Sequence, residues 1–224
     1  MLSQQTYHSP IYRHFKEIEG DAHRAIISFF DKNEAEIKRL EFEEYFELLV
    51  AYSNALFEVG HYPKHLQVVD NVIEASIIYN IRTYKGQDIY RHMLARKAAA
   101  LYNTLDFDKA NHVFRELIKI DPNDQVSILL LKRSMRRRQP GYLRISKAAG
   151  VFCFLLTALI IALEVLLIAT FKPEYQEPVM RLRMGVFMGG WMFLGMGDLW
   201  HRGRVHLYVT QFVRHVKFEK ALRN

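Results

Sequence analysis

The chain has 224 residues, of which 50% are hydrophobic, and this composition excludes an intrinsically disordered protein. The single cysteine, Cys153, excludes an intramolecular disulfide. Charge is divided unevenly: residues 1–131 hold 15 Lys+Arg and 19 Asp+Glu (net −4), whereas residues 132–224 hold 16 and 5 (net +11). The mildly acidic first part argues against a nucleic-acid-binding module, so we expect no specific nucleic-acid binding.

The first part, residues 1–131, is predicted to be a helical domain. Apolar periodicity indicates an N-terminal helix over residues 10–30, a long helix that starts near Asn33, and a closing helix over residues 125–138. Between these helices, residues 46–79 and 91–124 align as two copies of one pattern, with about eleven extra residues, "NIRTYKGQDIY", between them.

The second copy carries the pattern more completely. It has Ala98 in its first half, Leu101 and Tyr102 before a turn, small Ala110 after the turn, and Pro122 in the closing "DPND". The first copy has a matching "VGHY" turn, but His65 replaces the small residue and no terminal proline follows.

This combination closely resembles a tetratricopeptide repeat, a helical hairpin whose apolar face is completed by its neighbour. The resemblance covers about 70 of the 224 residues. It implies an interaction scaffold with a concave surface, lined by the first helix of each copy, that binds a protein or peptide partner. The implied groove positions are Glu47, Asn54, Phe57, Glu58, His92, Arg96, Tyr102 and Asn103.

Residues 132–147 form a basic linker with seven Lys and Arg and no acid, followed by the apolar residues 148–171, in which Glu164 is the only charge. About 20 apolar residues suffice to cross a hydrocarbon core, so residues 148–171 are predicted to be a transmembrane helix. Basic residues next to a span stay in the cytoplasm and contact anionic lipid headgroups. The linker is therefore predicted to mark the cytoplasmic end of this span.

Residues 184–200 are the second candidate span, only 17 residues long and rich in glycine. They are predicted to return the chain to the cytoplasm after the short connection "KPEYQEPV", and a re-entrant or interfacial segment is the alternative. The complete prediction is an all-α protein, in which a tetratricopeptide-like stack of helical hairpins is followed by a transmembrane helical hairpin. The protein is predicted to lie in the inner cell membrane, with both termini in the cytoplasm.

Four residues are predicted to mediate packing within this membrane hairpin or a homo-oligomer. Gly185 and Gly189 have a spacing that allows close helix approach, and Glu164 is expected to lie level with about Trp191. Glu164 is predicted to hold the helices together through the Trp191 indole or Arg183. An ion or proton path is the alternative for this carboxyl group.

Residues 201–224 are predicted to form a basic amphipathic helix that packs on an anionic leaflet or on the helical domain, and the sequence leaves both open. His61 and His65 have a metal-ligand spacing, but no third ligand accompanies them, so packed or solvated histidines are expected. No catalytic motif is present. We therefore expect no enzyme, no cofactor and no metal.

Two functional hypotheses follow from these predictions. The first is an adaptor that holds a partner protein at the cytoplasmic face of the membrane. The alternative is a defence-type effector or accessory protein, whose two-span hairpin oligomerises and perforates the bilayer under control of the helical domain.

Overall fold

The computed structural model describes residues 9–138, 140–168 and 175–223. These residues are almost entirely helical, which confirms the all-α prediction. The chain divides into two compact units, Met1–Ser134 (unit 1) and Met135–Asn224 (unit 2). The end of the predicted first span, residues 169–171, and the start of the predicted connection, residues 172–174, lie outside the described residues.

In unit 1, consecutive helices from the second to the sixth pack side by side, and a short two-stranded sheet lies between the fourth and fifth. The seventh helix ends just beyond the boundary of this unit. The elements are α1 (Pro10–Lys16), α2 (His23–Ile37), α3 (Phe42–Glu58), α4 (Tyr62–Ile78), β1 (Thr83–Tyr84), β2 (Gln87–Asp88), α5 (Ile89–Asn103), α6 (Phe107–Ile120) and α7 (Gln125–Arg137).

The N-terminal predictions need correction. A single helix over residues 10–30 is wrong, because α1 ends at Lys16 and α2 begins only at His23, after a break that contains Gly20. Glycine has one of the lowest helix propensities, and apolar periodicity does not register such a break. A new helix near Asn33 is also wrong: α2 kinks there, with the Asn33 amide donating to the Phe29 carbonyl at 2.8 Å, and continues to Ile37.

The α3–α4 and α5–α6 hairpins have the same turn. Gly60 (φ +82°) and Leu105 (φ +64°), 45 residues apart, both adopt the left-handed conformation just after a helix. The next amide then donates back to the helix, from His61 to the Leu56 carbonyl at 2.9 Å and in the other hairpin from Asp106 to Leu101 at 3.0 Å. This is the helix-ending motif that satisfies otherwise unpaired carbonyl groups.

The core of the two hairpins repeats at the same spacing. Many residues that are buried in the α3–α4 hairpin have a buried counterpart 45 residues later in the α5–α6 hairpin. The equivalent pairs are Leu48 and Met93, Ser53 and Ala98, Ala55 and Ala100, Leu56 and Leu101, His65 and Ala110, Val69 and Phe114, and Val72 and Leu117. The aligned copies of the sequence therefore fold into equivalent hairpins.

The extra residues between the copies form a β-hairpin. Thr83 pairs with Asp88 and Tyr84 with Gln87 in an antiparallel ladder. Lys85 and Gly86 both have positive φ, 49° and 78°, as a two-residue hairpin turn requires. Asp88 then accepts a hydrogen bond from the Arg91 amide and begins α5.

Unit 2 contains a hairpin of two long helices. Helix α8 (Gly141–Leu163) continues into a π-helical turn (Glu164–Ile168), and α9 (Gln176–Arg223) is one helix of 48 residues. The predicted connection over residues 172–179 is too long, because Gln176 already begins α9. The segments 184–200 and 201–224 are parts of the same helix rather than separate elements. At about 1.5 Å per residue, α9 is about 72 Å long.

Candidate functional site

The predicted groove of unit 1 is closed by α1 at its first copy. The Tyr12 hydroxyl donates to the Glu47 carboxylate, and the Lys16 ammonium forms an ion pair with it at 2.5 Å. Burial opposes ionisation of Glu47, but these two donors outweigh that effect and hold the pKa of the carboxyl below its usual value. Glu47 is thus already engaged by another part of the chain.

Asn54 lines a small cavity beside this cluster, of about 210 Å³, together with Phe15, His23, Glu47 and Lys85. The cavity is bordered by α1, by the start of α2 and by the β-hairpin turn, none of which the repeat resemblance predicted to reach the groove. The first copy therefore contributes a small pocket with a mixed polar and apolar lining rather than an open surface.

Four predicted groove residues form one cluster between α3 and α5. The Arg96 guanidinium lies 4.7 Å from the Phe57 ring centre, pairs with Glu58 at 2.8 Å, and donates from Nε to His92 Nε2 at 3.0 Å. Burial, together with the nearby Arg96 charge, lowers the pKa of His92. The structure thus brings the predicted residues of the two copies together across the surface.

The remaining predicted groove residues lie at the end of α5. Tyr102 packs edge-on against Phe107, with 5.8 Å between the ring centres, and Asn103 is exposed. Glu58 occupies the equivalent position to Asn103 in the first copy, and its side chain is 42% exposed. Glu58 and Asn103 are therefore the predicted groove positions that a partner can reach most directly.

The two histidines at metal-ligand spacing separate in the fold. His65 is fully buried, with Nδ1 2.9 Å from the Ser53 carbonyl oxygen, whereas His61 is exposed just before α4. Burial lowers the pKa of His65. Within residues 9–138, 140–168 and 175–223, no three His, Cys, Asp or Glu side chains come together as a metal site would require.

One helix among the described residues is long and apolar enough to cross a membrane. It covers Gly141–Leu166, with a mean hydropathy of 2.5 over its most apolar stretch, of which only 11% is buried. Large apolar side chains on it face outward, including Phe152 (65% exposed) and Leu155 (66% exposed). The predicted span over 148–171 thus corresponds to a candidate span that starts seven residues earlier.

The two helices of unit 2 pack closely at Gly150, Gly190 and Gly197, which are not the predicted pair. A Cβ on Gly150 would lie 2.7 Å from Leu194, and one on Gly190 would lie 3.0 Å from Phe154. Gly185 and Gly189 have no such neighbour within 4 Å in the part of the chain that the structure describes. Within the hairpin, Gly150, Gly190 and Gly197 provide the close packing that was predicted for Gly185 and Gly189, and packing of that pair between copies stays a prediction.

Glu164 forms an ion pair with Arg183 at 2.8 Å, and both side chains are largely enclosed, 17% and 30% exposed. Of the two predicted partners, the structure selects Arg183. The level predicted for Trp191 is wrong, because Trp191 packs against Phe154, ten residues before Glu164 on α8. Hydropathy alone does not determine this register.

Sequence reasoning missed a polar pair where α8 begins. The Tyr142 hydroxyl lies 2.8 Å from His201 Nδ1, and His201 is only 6% exposed. Nearby, the Ser146 hydroxyl donates to the Phe193 carbonyl. A tyrosine and a histidine 59 positions apart in sequence carry no local signal that would pair them.

Comparison with known proteins gives no match for this chain among family profiles, curated proteins or solved structures. The relation of the two equivalent hairpins to tetratricopeptide repeats therefore stays a prediction.

Proposed function

We propose that the protein is a membrane-anchored helical adaptor: unit 2 inserts in the bilayer through α8 and α9, and unit 1 binds a partner protein at the cytoplasmic face. The observation that carries the proposal is the outward-facing apolar surface of the hairpin. In α8 this surface includes Phe152 and Leu155, and in α9 it includes Met188 (66% exposed) and Met192 (60% exposed). Such a surface needs a lipid or protein covering to be stable.

Charged side chains near the turn of the hairpin are paired with opposite charges, which lowers the cost of placing them in or near a bilayer. Glu164 is neutralised by Arg183, and Arg181 pairs with Glu177 at 3.2 Å in the first turns of α9. The two arginines that fall near the outer end of the second predicted span thus both have acidic partners. This supports placing residues 184–200 of α9 in the bilayer beside α8.

The same ion pair supports an anchor over the perforating effector. A pathway for ions needs polar side chains that face a water-filled space, whereas the Glu164 carboxylate is held against its own hairpin. An adaptor should therefore leave the membrane potential unchanged on overexpression. Depolarisation that Glu164→Ala abolishes would favour the effector.

Topology tests the anchor directly. Single cysteines at residue 5, at Tyr175 and at the C-terminus, in a Cys153→Ser background, report accessibility to a membrane-impermeant thiol reagent. We expect labelling from outside only at residue 175. Labelling of the C-terminus from outside would mean that α9 does not return across the membrane, and the proposed hairpin anchor would fail.

Partner binding is tested by photo-crosslinking. A photoreactive residue at Glu58 or Asn103 lies in the predicted groove, and the matched control positions, Glu116 and Lys119, form an exposed ion pair on α6. The adaptor proposal expects a defined protein adduct from the groove positions alone. Equal adducts from all four positions would argue against a binding groove there.

A further inference from the structure

The hairpin of unit 2 contains a cationic cavity of about 580 Å³ where α8 begins. Its walls include Arg138, Tyr142, His201, Arg204 and Tyr208, and the described residues that line it include no carboxylate. Two guanidinium groups at one cavity without an acidic lining residue favour an anionic occupant.

The polar groups of this cavity are held in place. The Tyr142 hydroxyl contacts His201 Nδ1 at 2.8 Å, and the Arg204 guanidinium lies 5.9 Å from the centre of the Tyr142 ring. His201 is more than nine-tenths buried, and its Nε2 has no hydrogen-bond partner among the described residues. In the tautomer in which Tyr142 donates to Nδ1, Nε2 carries the ring proton, so the wall holds a buried donor without an acceptor.

The start of α8 adds further donors. Pro140 precedes the helix, no side chain of the described residues caps it, and both Pro140 and Gly141 line the cavity. The first amides of a helix lack intrahelical acceptors and carry partial positive charge, which favours an anion there. The cavity thus combines two arginines, a buried imidazole and a helix N-terminus.

An apolar groove of about 370 Å³ shares Tyr142 with this cavity. It is lined on α9 by Met192, Met196 and Trp200, which are spaced four residues apart, and Arg204 continues the same helical face into the cationic cavity. From Met192 to Arg204 the face extends about 18 Å along the helix. One surface therefore changes from apolar to cationic, as an amphiphilic anion requires.

We propose that the cavity and groove together bind one anionic phospholipid, with its phosphate between Arg138 and Arg204 and an acyl chain along Met192, Met196 and Trp200. This inference rests on the proposed membrane insertion of unit 2. A free phosphate ion shares the headgroup chemistry but does not fill the groove.

The two tryptophans of the chain provide the test. Trp200 lines the groove, whereas Trp191 packs against Phe154, so Trp191→Phe and Trp200→Phe each leave one reporter. The full-length variants are reconstituted in vesicles of phosphatidylcholine and phosphatidylglycerol, with bromine on the acyl chains of one lipid at a time. The two quenching efficiencies give the preference for the anionic lipid at each tryptophan.

We expect a clear phosphatidylglycerol preference at Trp200 and a smaller one at Trp191. Arg138→Gln and Arg204→Gln should each lower the preference at Trp200 by about fivefold. Arg202→Gln is the matched control, because Arg202 pairs with Asp198 on the exposed helix surface and does not line the cavity. The preference should survive excess inorganic phosphate at constant ionic strength.

An equal loss of the phosphatidylglycerol preference in the Arg202→Gln variant would mean that general surface charge causes the preference, and the proposed site would be wrong. Loss of the preference in inorganic phosphate would overturn the lipid assignment. Quenching of Trp191 without any phosphatidylglycerol preference at Trp200 would overturn this inference alone. Absence of quenching at both tryptophans would overturn the proposed membrane insertion as well.

Discussion

Phenylalanine occupies opposite environments in the two units. Phe114 on α6 is 1% exposed inside the helical stack, whereas Phe152 on α8 is 65% exposed on the hairpin. Unit 1 has an exposed ion pair between Lys64 and Asp31, 45% and 42% exposed, whereas the pair between Glu164 and Arg183 of unit 2 is largely enclosed. The helical stack of unit 1 thus encloses a core, whereas both long helices of unit 2 expose large apolar side chains, and this is the difference that the proposed anchor explains.

Truncation of the same side chain in the two units gives the largest expected effect. Phe114→Ala removes a fully buried ring and should lower the free energy of unfolding of unit 1 by about 3–5 kcal/mol. Phe152→Ala should change the stability of the hairpin by less than about 0.5 kcal/mol in micelles, because its ring contacts detergent rather than protein. Hydrogen exchange of the full-length protein, resolved by peptide, measures both.

Two results would contradict this contrast between the units. A large loss of protection in α8 with Phe152→Ala would mean that protein covers this ring in the assembled molecule, so unit 2 would pack against another copy or a partner. A small effect of Phe114→Ala would mean that the equivalent cores of the two hairpins do not stabilise unit 1.

Glycine substitutions test how the helices of unit 2 pack. Gly190→Val places methyl groups against Phe154 and the Gly150 carbonyl, and we expect it to destabilise the hairpin by about 1–3 kcal/mol. Gly185→Val is the matched control, since nothing lies within 4 Å of that position among the described residues. Thermal unfolding in micelles measures both variants.

The same pair of variants separates folding from assembly. If Gly185 packs between copies, as predicted from the sequence, Gly185→Val should change the oligomeric state in crosslinking while the hairpin unfolds at an unchanged temperature. An unchanged oligomeric state would remove Gly185 from any interface.

The glycine positions illustrate what the sequence could and could not predict. Features set by local residues were predictable from the sequence: the turn that contains Gly60 follows α3, and the closing helix begins at Gln125 as predicted. The face of α9 that contacts α8 was not predictable, because nearly every face of residues 184–200 is apolar or glycine. The choice of Gly190 over Gly185, and of Arg183 over Trp191, therefore depends on the register of the hairpin.

The groove shows a related limit. The repeat pattern placed Phe57 and Glu58 on α3 and His92 and Arg96 on α5, and in the structure these four side chains lie together. Their role as a partner-binding groove stays a prediction. The pattern did not predict that α1 would engage Glu47, since the break between α1 and α2 lies outside the repeated pattern. Contacts made by irregular flanking segments carry no periodic signal.

A smaller effect is expected at the ion pair of unit 2. Arg183→Gln leaves Glu164 without its cation and should destabilise the hairpin by about 2 kcal/mol, between the values typical of surface and buried pairs. Arg181→Gln is the control, because its pair with Glu177 is more than 80% exposed on both sides. Equal unfolding temperatures of the two variants in micelles would show that the enclosed pair does not hold the hairpin together.

The smallest effect is a pH dependence of the stability of unit 1. Because the folded pKa of His65 lies below its unfolded value near 6.5, the unfolded state binds more protons as the pH falls below 6.5, and stability is lost toward the folded pKa. The slope approaches about 1.4 kcal/mol per pH unit for one such group. His92, whose pKa is lowered in the same direction, adds to it.

Replacement of His65 by the residue at the equivalent position, His65→Ala, should therefore reduce this slope without abolishing it, since His92 remains. Urea unfolding of the full-length protein in micelles at pH 7 and pH 5.5, followed by circular dichroism, gives the slope, and His61→Ala on the exposed turn should leave it unchanged. A slope unaltered by His65→Ala would mean that another group of unit 1 titrates, and that the buried imidazole is not what distinguishes the first hairpin from the second.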